Sequence, residues 1–303
     1  MRILVTGGAG FIGSHIVEAY LAEGHEVVVV DNLATGRRAN VARRATLHEV
    51  DIHSRELDQV FASFKPEVVN HHAAQASVKV GQADPVHDLE VNGGGTARIA
   101  QLAVANGARK LIYASSGGTV YGEPESLPVT EDHPIAPRSN YGTSKYAGEL
   151  YVQLAARTSG IGYTIFRYGN AFGPRQDPHG EAGVVAIFAG LMRSGQPCTI
   201  DGDGEQKKDY LYVGDIARAN VLALTAGNSL VANIGTGEGT TVNHIYRVLS
   251  AAIGNAIEPR SGPPRPADVR NFWLDYSRAK AALGWEPRVS FEEGIRLTVA
   301  SLD

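Results

Sequence analysis

The stretch Met1-Arg-Ile-Leu-Val-Thr-Gly-Gly-Ala-Gly-Phe-Ile-Gly-Ser-His15 decides how the rest of the chain is read. Arg2 to Thr6 predicts a short buried strand. From Phe11 onward, apolar residues recur at helical spacing through Ile12, Ile16, Val17, Tyr20 and Leu21. Between strand and helix, Gly7, Gly10 and Gly13 stand three apart. Such a turn lets the backbone approach a diphosphate closely, and the helix N-terminus then offers free N–H groups and a partial positive charge. Glycines also serve ordinary tight turns, so the residues that follow must decide.

A second apolar strand, Glu26 to Val30, ends at Asp31, 18 residues beyond Gly13. A carboxylate at that strand tip can accept hydrogen bonds from both hydroxyls of an adenosine ribose, and it repels a 2′-phosphate. NAD is therefore favoured over NADP, with Arg37 and Arg38 leaving a small opening for NADP. Further strands alternate with helices. Strands are expected at Thr46 to Val50, Glu67 to His71, Lys110 to Ala114 and Tyr163 to Arg167. Helices are expected at Arg55 to Phe64, Pro85 to Asn106 and Tyr141 to Ser159. Repeated βα units imply a Rossmann-type, doubly wound parallel sheet with right-handed crossovers. Beyond Gly173 the strands shorten and glycine and proline cluster. Residues 1–173 are thus expected to form the NAD-binding domain and 174–303 a smaller mixed α/β lobe over the carboxyl ends of the sheet, with the chain free to recross.

Bulk properties exclude other classes. A formal net charge of −4 over 303 residues, with only isolated basic pairs, gives no track for nucleic acid. No apolar run reaches the roughly 18 residues needed to span a bilayer, and no signal peptide is visible. The single cysteine, Cys198, excludes an internal disulfide and fits a reducing, cytoplasmic compartment. No metal site is expected. His71 and His72 are adjacent on a strand and face opposite sides, and Asp177, His179 and Glu181 read as a solvated loop.

Tyr141-Gly-Thr-Ser-Lys145 adds the chemistry. Four residues apart on a helix, Tyr141 and Lys145 share one face. A lysine ammonium beside a phenol is expected to draw the phenol's pKa down toward the working pH.

With these marks the chain resembles the extended short-chain dehydrogenases/reductases, and among them most closely the UDP-glucose (UDP-galactose) 4-epimerases. Further marks are Asp51-Ile52, His72-Ala-Ala-Gln75, Ser115-Ser116 leading to Val120-Tyr-Gly122, and Arg167-Tyr-Gly-Asn170. Later ones are Asp209-Tyr210 with Val213 and Asp215, Asn233-Ile-Gly-Thr-Gly237, and Pro264-Arg265 with Asp268. The resemblance implies NAD-dependent epimerisation at C4 of a UDP-hexose through a 4-keto sugar, with Tyr141 as proton acceptor and Lys145 holding the nicotinamide ribose. It places cofactor contacts at Gly7, Gly10, Phe11, Ile12, Gly13, Asp31, Asn32, Gly36, Asp51 and Ile52. It adds Ala73, Ala74, Gln75, Asn92, Ser115, Tyr141, Lys145 and Tyr168. For the UDP-sugar it implies Ser116, Asn170, backbone N–H groups of Val184, Val185 and Phe188, then Lys208, Arg265, Asp268 and Phe272.

The chain departs from the family pattern in three places. A lysine often follows the fourth strand, and Ala76 stands there. Lys208 replaces the usual arginine, so a point charge replaces a bidentate fork. The family places a Ser or Thr hydroxyl beside the reacting oxygen. Counting from the strand puts it at Ser116, whereas counting back from Val120 puts Gly117 there. Strand register is pinned by burial and a Gly117-Gly118 loop absorbs length, so Ser116 is expected; in the other register a water or Thr119 would serve. Phe272 falls at the family's sugar-pocket gatekeeper, which favours UDP-glucose and UDP-galactose over N-acetylated sugars.

Competing enzymes are a nucleotide-sugar 4,6-dehydratase, which would want Asp-Glu after Ser116, a UDP-glucuronate decarboxylase, which carries Thr-Ser-Glu there, and a UDP-N-acetylhexosamine 4-epimerase. A redox-sensing or RNA-binding member with catalysis lost would not be expected to retain Tyr141 and Lys145. The resemblance also implies a homodimer through the helices at Asp88 to Asn106 and Tyr141 to Ser159.

Overall fold

The computed structural model describes residues 1–178, 183–254, 257–264 and 269–302. In its first half the order is β1 (Arg2–Thr6), α1 (Phe11–Ala22), β2 (Glu26–Asp31), β3 (Thr46–Glu49), α2 (Glu56–Phe64) and β4 (Val68–His71). There follow α3 (Val78–Ala83), α4 (Pro85–Leu89), α5 (Gly95–Ala105), β5 (Lys110–Ser116), α6 (Gly117–Val120), α7 (Asn140–Ser159) and β6 (Gly162–Tyr168). The second half continues with β7 (Asn170–Phe172), α8 (Val184–Arg193), β8 (Thr199–Asp201), β9 (Lys207–Lys208), β10 (Tyr210–Tyr212), α9 (Val213–Leu222) and β11 (Leu230–Ile234). It ends with β12 (Thr240–Thr241), α10 (Val242–Ile253), β13 (Arg260–Gly262), β14 (Asn271–Phe272), α11 (Ser277–Leu283) and α12 (Phe291–Ala300).

The near-continuous apolar strands Ile3-Leu-Val5, Val27-Val-Val-Val30 and Leu111-Ile-Tyr113 are buried on both faces, as parallel strands sandwiched by helices must be. They belong to a seven-stranded parallel sheet of order β11-β6-β5-β4-β1-β2-β3. One face packs on α1, α9 and α11 through Ile16, Tyr20, Ile216 and Leu283, the other on α2, α5 and α7 through Phe61, Ile99 and Val152. Strand order reverses between β1 and β4. A crevice opens there at the strands' carboxyl ends, the place where such sheets bind ligands. The edge strand β11 comes from beyond residue 174, so the chain recrosses into the sheet. Residues from α8, α10 and α12 enclose a separate core around Phe172, Phe188, Ile245 and Ile295.

Two local expectations are corrected. The glycine pair at 117 and 118 is not a slack loop: it opens the helical turn α6, with Gly117 so close to Leu274 that a Cβ would lie 2.6 Å from its Cδ1. Packing of the C-terminal segment, not loop freedom, fixes this turn. The helix expected from Pro85 to Asn106 is interrupted by a wide π turn over Glu90–Gly94. Asn92 in that turn accepts a hydrogen bond from the Gln75 N–H and donates to the Gln75 carbonyl and the Ser144 hydroxyl, tying the helix to the site.

Candidate active site

The glycine turn is built from the backbone outward. Gly7 has φ +71°, and a Cβ there would lie 2.6 Å from the Ala73 nitrogen; at Gly13 it would lie 2.1 Å from the Gly7 carbonyl oxygen. Those two glycines are demanded by the turn's own packing. At Gly10 a Cβ would meet only the Gly7 oxygen, at 3.2 Å, so that position is left open for a ligand. Gly10 is the N-cap of α1 and offers no side chain to its first N–H groups, those of Phe11 and Ile12 among them. An uncapped helix start beside an open glycine suits the diphosphate of NAD.

The adenosine side is equally ordered. Asp31, buried at the tip of β2, accepts from the N–H groups of Ala9 and Leu33 at 2.9 Å each, and Gly36 lies against its carboxylate. Asn32 donates to Asp51 at 2.8 Å, and Ile52 is buried beneath Gly95. Arg37 pairs with Asp177 and Arg38 with Glu49 at the surface, whereas the buried Asp31 carboxylate would repel a 2′-phosphate. The residues present therefore fit NAD.

Helix α7 carries Tyr141 and Lys145 onto the carboxyl end of β5. It is capped by Ser139, whose hydroxyl accepts from the Gly142 N–H at 3.1 Å. Glycines let it press close, since a Cβ on Gly142 would lie 2.5 Å from the Thr119 oxygen and one on Gly148 2.2 Å from the Tyr113 hydroxyl. At the contact, the Ser116 hydroxyl at the end of β5 stands beside the Tyr141 phenol and favours its ionised form. Lys145 is buried with its ammonium 4.5 Å above the Tyr113 ring.

The electrostatics correct one expectation. Burial pushes the Tyr141 phenol up to about 12, opposed by the Ser116 hydroxyl and reinforced by Asp88. Burial likewise brings Lys145 down to about 7, while Glu149 and Asp88 hold it up. The lysine charge faces those carboxylates and the Tyr113 ring, and the group that draws the phenol down is Ser116. Two histidines at the end of β4 are kept neutral, chiefly by burial and further by the Lys145 charge: His71 is lowered well below its usual range and His72 to about 3. His71 lies between the Thr6 and Thr96 hydroxyls, at 2.6 and 3.1 Å. His72 stacks on Tyr168 and is hydrogen-bonded to its hydroxyl at 3.1 Å.

Ala73, Ala74, Gln75, Asn92 and Ser115 lie on the segments around this contact. Gln75 is anchored by Asn92 and Asp88, and Ser115 donates to Glu149. Asn170 is exposed at the start of β7, its N–H donating to the Asp209 carbonyl at 2.7 Å and its amide oxygen 3.6 Å from where a Gly118 Cβ would stand. Val184 and Val185 open α8, whose N-cap Gly183 supplies no side-chain cap. Phe188 does not share that role: it lies a full turn into the helix, on the face buried in the C-terminal core. Lys208 donates to the Val269 carbonyl and stands opposite Phe272 between paired strands. Phe272 is buried against Tyr121 and Leu274. Arg265 and Asp268 lie outside the described residues, as do His179 and Glu181.

The sequence reading gave no role to the buried acids, and quoted Asp209 only as a mark of the resemblance. Asp88 binds Gln75, Asn92 and Ser144, and no spacing signals it. Asp209 accepts from the N–H groups of Thr236 and Leu274 and is pushed up by burial to about 6. Glu149 did carry a signal, since Tyr141, Lys145 and Glu149 repeat every fourth residue on one helical face.

A Rossmann-type sheet with a glycine turn, an acid at the tip of β2 and a Tyr/Lys/Ser cluster over β5 defines a short-chain dehydrogenase/reductase of the extended kind. The NAD dependent epimerase/dehydratase family model matches residues 3–235, and the chain belongs to that family. It is 46% identical to a putative UDP-glucose 4-epimerase of Methanocaldococcus jannaschii, over 98% of this chain and 97% of that protein. The UDP-glucose 4-epimerase of Thermotoga maritima, solved with UDP-glucose, superposes with a TM-score of 0.97 at 47% identity, over 100% of this chain and 98% of that one. That of Thermus thermophilus, solved with NAD, does so at 0.93 and 47%, over 99% and 98%. Among the described residues no helix is long and apolar enough to cross a membrane.

Proposed function

We propose that the protein interconverts UDP-galactose and UDP-glucose by NAD-dependent epimerisation at C4. The observation that carries the reading is the Tyr141–Ser116 contact at the carboxyl end of the sheet, beside a glycine turn that fits a dinucleotide. NAD, when bound, supplies the acceptor and donor of the C4 hydride. Tyr141 takes the proton of the 4-hydroxyl and later returns it. Ser116 donates to the same oxygen region and stabilises the phenolate. Lys145 holds the nicotinamide ribose, and His71 and His72, neutral behind it, add no competing charge. The 4-keto sugar turns between the two transfers, so the site must grip the UDP moiety and leave the hexose free. Asn170 and the uncapped start of α8 at Val184 and Val185 suit the UDP moiety, and Arg265 and Asp268 are assigned to it by resemblance. Gly117 and Gly118 supply neither the acid nor the base that a 4,6-dehydratase would need after Ser116.

Phe272, with its ring filling space beside Tyr121, favours the unsubstituted hexoses over 2-acetamido sugars. The second copy in a homodimer would cover the apolar faces of α3, α4 and α7. Val86 is 65% exposed and Leu89 51%, and Leu150, Tyr151 and Leu154 are each 45% exposed. Val104 on α5 with Tyr151 and Leu154 on α7 lines a groove between those two helices. Patches of this extent mark interaction surfaces. The test is incubation of the purified protein with UDP-galactose and no added cofactor. UDP-glucose should form, and UDP-N-acetylgalactosamine should turn over far more slowly; no conversion of UDP-galactose would overturn the reading, and equal turnover would overturn the role of Phe272.

A further inference from the structure

Glu149 is fully buried one helical turn beyond Lys145, and nothing in the proposed chemistry uses it. Its carboxylate is saturated from two adjacent strands. Ser115 on β5 donates to Oε1 at 2.5 Å; Arg167 on β6 donates through Nε to Oε1 at 3.0 Å and through Nη2 to Oε2 at 2.7 Å. Ser115 and Arg167 are themselves register partners in the sheet. The third arm of the guanidinium donates to the Tyr121 hydroxyl at 2.9 Å, which in turn donates to Asn233 on β11 at 2.7 Å. One carboxylate therefore binds the helix carrying Tyr141 and Lys145 to the strand that ends in Ser116.

We infer that Glu149, held in place by Ser115 and Arg167, is a positioning residue for the Tyr141–Ser116 contact and the buried carboxylate set one helical turn from Lys145 to face its ammonium. The inference rests on the epimerase reading for its catalytic consequence only. Around Lys145 stand Glu149 on its own helix, Asp88 on α4, His71 and His72 at the end of β4, the Tyr113 ring on β5 and the Tyr141 phenol. Both histidines are held neutral and both phenols are pushed up by burial, so the two carboxylates carry the negative charge that opposes desolvation of the lysine. A charged bidentate pair also costs less to bury than a lone carboxylate, which explains why Glu149 comes with Arg167.

The experiment compares the holoenzyme with Glu149→Gln, with the double variant Glu149→Gln/Arg167→Met, and with Ser115→Ala. Lys145 is titrated by NMR on protein carrying isotopically labelled lysine, and kcat and KM for UDP-galactose are measured across pH. In both Glu149 variants the Lys145 midpoint should fall by about one unit or more, a tenfold shift toward the amine. The alkaline limb of kcat should move down with it while KM stays within about threefold. The double variant leaves no buried charge unpaired, so it should unfold near the wild-type temperature and still show the shifted midpoint. Ser115→Ala should lower kcat without moving either the midpoint or KM. A wild-type midpoint in a folded Glu149 variant overturns the electrostatic role, and unchanged kcat in Ser115→Ala overturns the positioning role. The NMR midpoint is read without turnover, so failure of the epimerase reading is separately visible.

Discussion

The Ser116 hydroxyl stands beside the Tyr141 phenol at the junction of β5 and α7 and opposes the rise that burial imposes on it. Tyr141→Phe should lower kcat by about 10²–10⁴-fold, the range for loss of a positioned proton acceptor. Ser116→Ala should be milder and pH-dependent. Without that hydroxyl the phenol's pKa rises further, and the base is needed as phenolate. The acid limb of kcat should therefore move to higher pH; a limb that stays in place would remove Ser116 from this role.

The glycine turn separates packing from binding. Gly10→Ala has room for its methyl except toward the Gly7 carbonyl, so the protein should fold and lose NAD. Gly13→Ala drives a Cβ to 2.1 Å from that same oxygen and should lower the unfolding temperature as well. Cofactor released on acid denaturation, measured beside thermal unfolding, distinguishes them. A Gly10→Ala protein that retains full NAD would contradict the assignment.

The buried carboxyl of Asp209 gives a stability signature. Burial raises it from 3.8 to about 6. Between those values the folded chain holds a proton that the unfolded chain has lost, so this group's contribution to stability falls as pH rises through the window. Relative to Asp209→Asn, the wild type should lose about 2 kcal/mol between pH 4 and pH 7. Denaturant unfolding of both proteins across that range measures it, and a difference that grows with pH would reverse the sign.

Leu154 lies in the middle of the exposed face of α7. Leu154→Glu places a charge where the second copy of the proposed homodimer would pack, so wild-type protein should sediment as a dimer and the variant as a monomer, with the fold intact by circular dichroism. Unchanged mass would place the interface elsewhere.

The sequence made the sheet and the cofactor half legible because those signals are local. Gly7 to Gly13, Asp31 and the Tyr141–Lys145 spacing each lie within one turn or one βα unit. Ser116 was reachable because burial pins the register of Lys110 to Ala114. The buried charges were harder to see. Asp88 meets Ser144 across 56 positions, and Asp209 meets Leu274 across 65. Such pairs leave no periodic trace. The α6 turn at Gly117 and the core position of Phe188 likewise depend on which segments of the C-terminal half pack against them, and no local pattern records that.

The most direct test of the account follows the hydrogen at C4. UDP-galactose carrying deuterium at C4 is incubated with the purified protein in ordinary water without added cofactor, and the product is examined by NMR and mass spectrometry. The account predicts UDP-glucose with the deuterium retained at C4, because the hydride leaves and returns within one site. Loss of deuterium to solvent, or a product changed at another carbon, would contradict it.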